Sequence, residues 1–243
     1  MTRKDKRQAD ELRPVSLVPG YQRHPAGSVL ASFGNTRVLC AVSVETGVPR
    51  WMKEQNVPGG WITAEYQMLP SSTAQRTERE VTRGKLSGRS AEIQRLVGRS
   101  LRAVVDLSKL PGLTLHVDCD VIDADGGTRC ASITGASVAL QLAAAKLLKD
   151  GLITENPIIA QVAAVSVGLI DGKPLLDLCY EEDSAADVDM NIVMTNAGRY
   201  VEIQGSGEEA TFSDADLKKM LALARRGLEG VFALQSAVAG QAQ

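Results

Sequence analysis

The sequence predicts an α+β fold, with mixed sheets and a few long helices. Three observations carry that expectation. Short β-branched runs bounded by Gly, Pro and Asn crowd the start of the chain and return through its second half. Three longer stretches place apolar residues at helical spacing. No short-period repeat runs through them, so these elements are layers packed around a core.

In chain order, PVSLV, GSVLASFG and TRVLCAVSVE read as three strands. Phe33-Gly34-Asn35-Thr36 supplies a hairpin turn, because Gly and Asn tolerate positive φ. Residues 47–60 read as a loop and GWITAEYQML as the next strand. Residues 71–88 lack periodicity and form a long polar loop. A helix over 90–106 carries the stripe Ile93, Leu96, Val97, Leu101, Val104 and Val105. Pro111-Gly112 ends that unit, a strand follows over 113–122, and a second helix over 129–149 has Ile133, Ala136, Leu140, Ala143 and Leu147 on one face. The second half gives strands over 159–170, 174–180, 187–195 and 199–204, the last two joined at Asn196-Ala197-Gly198. A final helix begins at Ser213 or Asp214, both good N-caps, with Leu217, Leu221, Ala224, Leu228 and Val231 as its stripe. The expected organisation is a flexible tail over 1–12, a first subdomain over 13–151 and a second over 152–243.

The 243 residues are 44% apolar and 23% charged, enough for a substantial core. A net charge of −2 excludes a uniformly basic nucleic-acid binder, so any nucleic-acid site must be a local patch. Cys40, Cys119, Cys130 and Cys179 form no CxxC pair and sit in or beside apolar runs, as free thiols in a reducing cytoplasm do. The charged N-terminus lacks the apolar core of a signal peptide, and no apolar run nears the 18 residues of a membrane span. Only His24 and His116 are present, far apart in sequence, which argues against a His/Cys zinc site or a Ser-His-Asp triad.

Three stretches carry chemistry. In DVIDADGGTRCASITGASV two glycines precede a helix start. Unpaired N–H groups and the helix dipole attract anions there. Gly126 and Gly127 let the backbone approach a ligand, Thr128 adds a hydroxyl, and Arg129 adds a planar fork for phosphate. A plain glycine turn capped by Thr128, with Arg129 in solvent, fits the same letters. The second stretch is basic: Arg76, Arg79, Arg83, Lys85, Arg89, Arg95, Arg99 and Arg102 face only Glu78, Glu80 and Glu92. Arg95, Arg99 and Arg102 share helical spacing, which suits either a solvated face or an RNA backbone. The third is LCYEEDSAADVDMNIVM. Alternation puts Asp187, Asp189 and Asn191 on one strand face, and clustered carboxylates, Asp183 included, call for a hard cation such as Mg²⁺ or Mn²⁺. Gly205-Ser206-Gly207 lacks the third glycine of a dinucleotide turn and reads as a loop.

A phosphate cradle, a basic path and a carboxylate cluster point together to phosphoryl transfer on a nucleic acid. The motifs RPVSLVPGYQRHPAGSVLASFGNTRVLCAVSVETGVPRW, GGWITAEYQMLP, GRSAEIQRLVGRSLRAVVDL, DCDVIDADGGTRCASITGASVAL, AAVSVGLIDG and DLCYEEDSAADVDMNIVMT resemble the bacterial ribonuclease PH family, over nearly the whole chain. That family is related to polynucleotide phosphorylase and to exosome ring subunits. The resemblance implies a ribosomal protein S5 domain 2-like fold and a cytoplasmic, phosphorolytic 3′→5′ exoribonuclease. It also implies a homohexameric ring, a trimer of dimers, that trims tRNA precursors and other RNA 3′ ends. By the same resemblance, Arg89, Gly127, Thr128 and Arg129 bind inorganic phosphate as co-substrate. Asp183 and Asp189 are catalytic and hold Mg²⁺ or Mn²⁺. Arg76 and Arg79 hold tRNA, with Arg95 and Arg99 added as RNA contacts from the helix face. Ser71 stands where the family often has a further loop arginine. The alternatives are a non-catalytic RNA-binding ring subunit, disfavoured because these residues occur together in one chain, and a hydrolytic nuclease using the carboxylates alone.

Overall fold

The strand runs at the start of the chain pair in a meander. β1 (Val15–Pro19), β2 (Gly27–Phe33) and β3 (Thr36–Thr46) are antiparallel neighbours, and Phe33 pairs with Thr36 across a turn in which Gly34 has φ +56°. The expected loop after β3 contains a one-turn helix, α1 (Arg50–Glu54), which forms because Met52 is buried. β4 (Trp61–Met68) runs parallel to β5 (Leu113–Asp123), and α2 (Gly88–Arg102) bridges them. The first sheet has the order β1-β2-β3-β5-β4. The computed structural model describes residues 3–207 and 210–240; residues 1–2 of the expected tail and the side chain of Arg83 lie outside it.

α3 (Thr128–Lys149) packs on β2 and β3 of this sheet and on β6 (Val162–Ile170) of the second. It therefore has almost no solvent face. That explains its Ala, Ser and Gly: a Cβ at Gly135 would lie 2.7 Å from both Ala31 and the Cys40 sulfur. By length and hydropathy α3 could cross a membrane, but it is buried inside the protein as a core helix. The second sheet, order β7-β6-β8-β9, adds β7 (Lys173–Leu176), β8 (Val188–Thr195) and β9 (Tyr200–Gly207), all antiparallel. Between β7 and β8 lies α4 (Tyr180–Asp183), and α5 (Asp214–Gly240) packs beside α3 against β6, β7 and β1. Buried Gln235 donates to the carbonyls of Thr134 and Val162, both at 3.0 Å, tying α5 to α3 and the sheet. One hydrophobic cluster runs through both sheets and the helices, including Ile133, Leu140 and Leu147.

Five expectations change. The helix over 90–106 stops at Arg102, because Val105 leaves it to bridge Ile158. The strand over 159–170 begins at Val162. The strand over 174–180 ends at Leu176, where Asp177 turns to φ +54° and the chain enters α4. The segment around Gly205, read as a loop, completes β9 opposite β8. Residues 3–12, expected to be a flexible tail, are tied to the body through buried charge. Arg3 forms a two-pronged pair with Glu182 at 2.7 Å, Arg7 lies between Glu182 and Asp177, and Arg13 pairs with Asp177 at 2.7 Å.

Candidate active site

Asp125-Gly126-Gly127 leads from β5 into α3. Gly126 and Gly127 have φ +74° and +67°, which favours glycine at both positions. A Cβ at Gly126 would meet the Leu178 carbonyl at 2.6 Å and the Cys179 backbone at 2.7 Å, so that position also lacks room. Surrounding polar groups hold the turn. Thr36 donates its hydroxyl to the Gly126 carbonyl at 2.7 Å and accepts the Asp125 N–H at 2.9 Å. The Arg13 guanidinium donates to the carbonyls of Asp125 and Gly126. The α3 N-terminus has no side-chain cap, which leaves the first-turn N–H groups for a ligand.

The other sequence-predicted groups gather around this terminus. Thr128 is buried and its hydroxyl is 2.9 Å from the Tyr66 hydroxyl on β4. Burial pushes the Tyr66 phenol up, while the bond to Thr128 and the charges of Arg89 and Arg129 oppose that rise. Arg89 is exposed in the first turn of α2. Arg129 is mostly buried and is held between Gln204 of β9 and Glu92 of α2, the latter at 3.5 Å. Gln204 in turn donates to Glu92 at 3.1 Å. The plain-turn reading of Arg129 in solvent is thus overturned.

The acidic side arrives from the second sheet. Along β8, Asp189 and Asn191 face away from buried Val188, Met190 and Ile192, as alternation predicts. The Cys130 thiol, in the first turn of α3, donates to Asn191 at 3.3 Å. Burial pushes that thiol up to about 12, with Arg129 pulling down and Asp177 and Asp183 adding to the rise. Asp183 ends α4, whose Tyr180 N–H donates to Asp125 of the glycine turn at 3.2 Å. Asp189 accepts the Ser206 hydroxyl of β9 at 3.3 Å. Among the described residues no group of three His, Cys, Asp or Glu gathers to hold a metal. Two carboxylates suit Mg²⁺ or Mn²⁺, which keep waters and take further oxygens from substrate phosphates.

The basic path divides. Arg76 and Arg79 are exposed on the loop after β4. That loop is anchored beside the glycine turn, since Ala124 donates to the Ser72 carbonyl at 2.8 Å, and it reaches α2 where Ser90 donates to Glu80 at 2.6 Å. Arg95 is exposed, but Arg99 already pairs with Glu202 at 2.6 Å. Arg102 leaves the expected face altogether: it stacks on Trp61, 4.6 Å from the ring centre, and donates to the Ile62 carbonyl at 2.8 Å. One cavity opens beside Pro19 and Lys149, and another, lined by Arg3, Arg13 and Asp125, borders the glycine turn. An open cradle with an approach lined by arginines suits the end of a polymer better than an enclosed small molecule.

The profile of the 3′ exoribonuclease family, domain 1, matches residues 11–146, and that of domain 2 matches residues 160–227. The chain belongs to the 3′ exoribonuclease family. It is 57% identical to ribonuclease PH of Bacillus pumilus over 241 residues, covering 98% of each chain, and 55% identical to that of Corynebacterium efficiens, covering 98% of this chain and 97% of the other. Two solved structures share the family's architecture. The Archaeoglobus fulgidus exosome with RNA bound to the active site has a TM-score of 0.79 at 25% identity, covering 95% of this chain and 92% of that one. Rice Rrp46 has a TM-score of 0.76 at 21% identity, covering 99% and 100%. Sequence reasoning about this family member missed Arg13, Tyr66, Glu92, Gln204 and Ser206. Each acts through a partner distant in sequence, so no local pattern marks it.

Proposed function

We propose that this chain shortens RNA from the 3′ end by phosphorolysis, with the α3 N-terminus as its phosphate cradle. As a member of the ribonuclease PH type it is a phosphorolytic exoribonuclease and tRNA nucleotidyltransferase. The observation that carries the assignment of the cradle is the uncapped start of α3. There Gly127, Thr128 and a braced Arg129 stand together, and Arg89, in the first turn of α2, is assigned to the same phosphate.

Inorganic phosphate binds the first-turn amides, the Thr128 hydroxyl and the two guanidinium groups. These donors offset the repulsion between two anions that must meet. A phosphate oxygen attacks the last internucleotide phosphorus in line. The bond to the penultimate 3′-oxygen breaks, and its electron pair leaves on that oxygen. A nucleoside 5′-diphosphate departs, and the RNA is one nucleotide shorter. The nucleophile is already an oxyanion, so no histidine base is required. Asp183 and Asp189 would hold Mg²⁺ or Mn²⁺, which supplies positive charge against the phosphates. Alternatively, Asp189 is not a metal ligand and instead passes a proton to the departing 3′-oxygen. One phosphoryl linkage replaces another, so excess diphosphate drives RNA extension. Arg76, Arg79 and Arg95 bind the RNA backbone, and tRNA precursors are the proposed substrate. A ring-like assembly agrees with the kinship to exosome cores, and a homohexamer is the form proposed.

Arg129→Ala is expected to fold and to lose phosphate-dependent trimming. Asp189→Asn is expected to lower turnover more than RNA affinity. Unchanged turnover in the first variant removes the cradle, and equal losses of turnover and affinity in the second remove the catalytic role.

A further inference from the structure

We propose that β9 is the strut that sets the distance between the phosphate cradle and the catalytic carboxylate, with Gln204 and Ser206 as positioning residues. The proposal rests on the roles assigned above to Arg129 and Asp189. Residues two apart on a strand project from the same face. Gln204 pairs in register with Asn191, and Ser206 with Asp189. One strand therefore grips both halves of the site: Gln204 accepts from Arg129, and Ser206 donates to Asp189 at 3.3 Å. Gly205 between them keeps β9 flush on β8, because a Cβ there would lie 2.7 Å from the Met190 side chain.

The residue types fit the task. Arg129 is held by a neutral amide as well as by Glu92, and a neutral acceptor fixes a guanidinium without cancelling its charge. A guanidinium has five N–H donors, so one nitrogen spent on Gln204 and Glu92 leaves the others for phosphate. Gln204 also donates to the Glu92 oxygen that faces Arg129, which engages part of the carboxylate that would compete with phosphate. The Ser206 hydroxyl occupies one oxygen of Asp189 and leaves the second for the reaction. β9 thus couples two sites that come from separate parts of the chain, the start of α3 and the start of β8.

The strut predicts a crossed kinetic pattern in phosphorolysis of a short RNA at varied phosphate. Gln204→Ala should raise the KM for phosphate by roughly tenfold and leave turnover at saturating phosphate within about threefold, since a hydrogen bond to a charged group is lost. Gln204→Glu keeps the shape but pairs with Arg129 by charge, so its KM should rise further. Ser206→Ala should leave the phosphate KM unchanged and lower turnover by about tenfold, and Ser206→Thr, which keeps the hydroxyl, should restore it. A purely structural role would move both parameters together in all variants; that result overturns the strut, as does wild-type behaviour of Gln204→Ala and Ser206→Ala. Arg129→Ala and Asp189→Asn run in parallel separate the two ideas. If they retain activity, the underlying site assignment fails; if they lose it while the β9 variants are silent, only the strut fails.

Discussion

Replacing Arg13 by methionine tests how the N-terminal arm braces the site. The Arg13 and Asp177 side chains are 4% and 3% exposed. The guanidinium meets the carboxylate twice, at 2.7 and 3.0 Å, and the Arg13 amide adds a third bond at 2.8 Å. Asp177 raises the charged form of Arg13 against the burial that opposes it. Methionine fills much of the space but strands the buried carboxylate, and removing one partner of a buried pair costs about 3–5 kcal/mol. For a chain of this size each kcal/mol moves Tm by about 2–4 °C, so the expected drop is about 6–20 °C. The double variant Arg13→Met/Asp177→Asn removes the stranded charge and keeps a residue type that tolerates φ +54°, so it should be more stable than the single variant. Thermal unfolding by circular dichroism at one fixed protein concentration measures both, because assembly makes Tm concentration-dependent. A loss under about 1 kcal/mol in Arg13→Met, or a double variant less stable than the single, refutes the reasoning.

Two further predictions concern pH. Burial raises the Glu182 carboxyl, but bonds from Arg3 and the Cys179 N–H, with the Arg3 and Arg7 charges, hold it below the usual range. Its contribution is therefore present above the unfolded value of about 4.3 and is lost as pH falls through the lower folded value. Glu182→Gln should show lower stability at pH 7 and a shallower acid decline; an unchanged acid decline argues against the pairing. Asp118 goes the other way, pushed up by burial and then by Glu65 and Asp120, with His116 opposing. The folded state resists its ionisation, so its penalty grows as pH rises above about 3.9. Asp118→Asn should raise Tm at pH 7 with the gain vanishing near pH 4, and a gain equal at both values would rule out the charge as its source.

Most of the layers were legible because their signals are local. The stripe ending at Leu147 and the alternation from Asp187 to Met194 each report one buried face, and the structure buries those faces. The glycine turn was legible for the same reason: two glycines followed by Thr and Arg mark the start of a helix. What escaped were the contacts between elements. Arg102 shares helical spacing with Arg95 and Arg99, yet Trp61 captures it from another strand. Asp177 looked like strand interior until Arg13, 164 positions away, gave its carboxylate a partner and let the backbone turn. The N-terminal charges looked solvated because their acidic partners lie at Asp177 and Glu182.

The most direct measurement incubates the assembled protein with a 3′-extended tRNA precursor and Mg²⁺, with and without inorganic phosphate, and identifies the released nucleotides. Nucleoside 5′-diphosphates that form only when phosphate is present are the predicted products. Monophosphates formed at the same rate in both tubes would mean that water is the nucleophile, and would contradict the phosphate cradle at Gly127, Thr128 and Arg129.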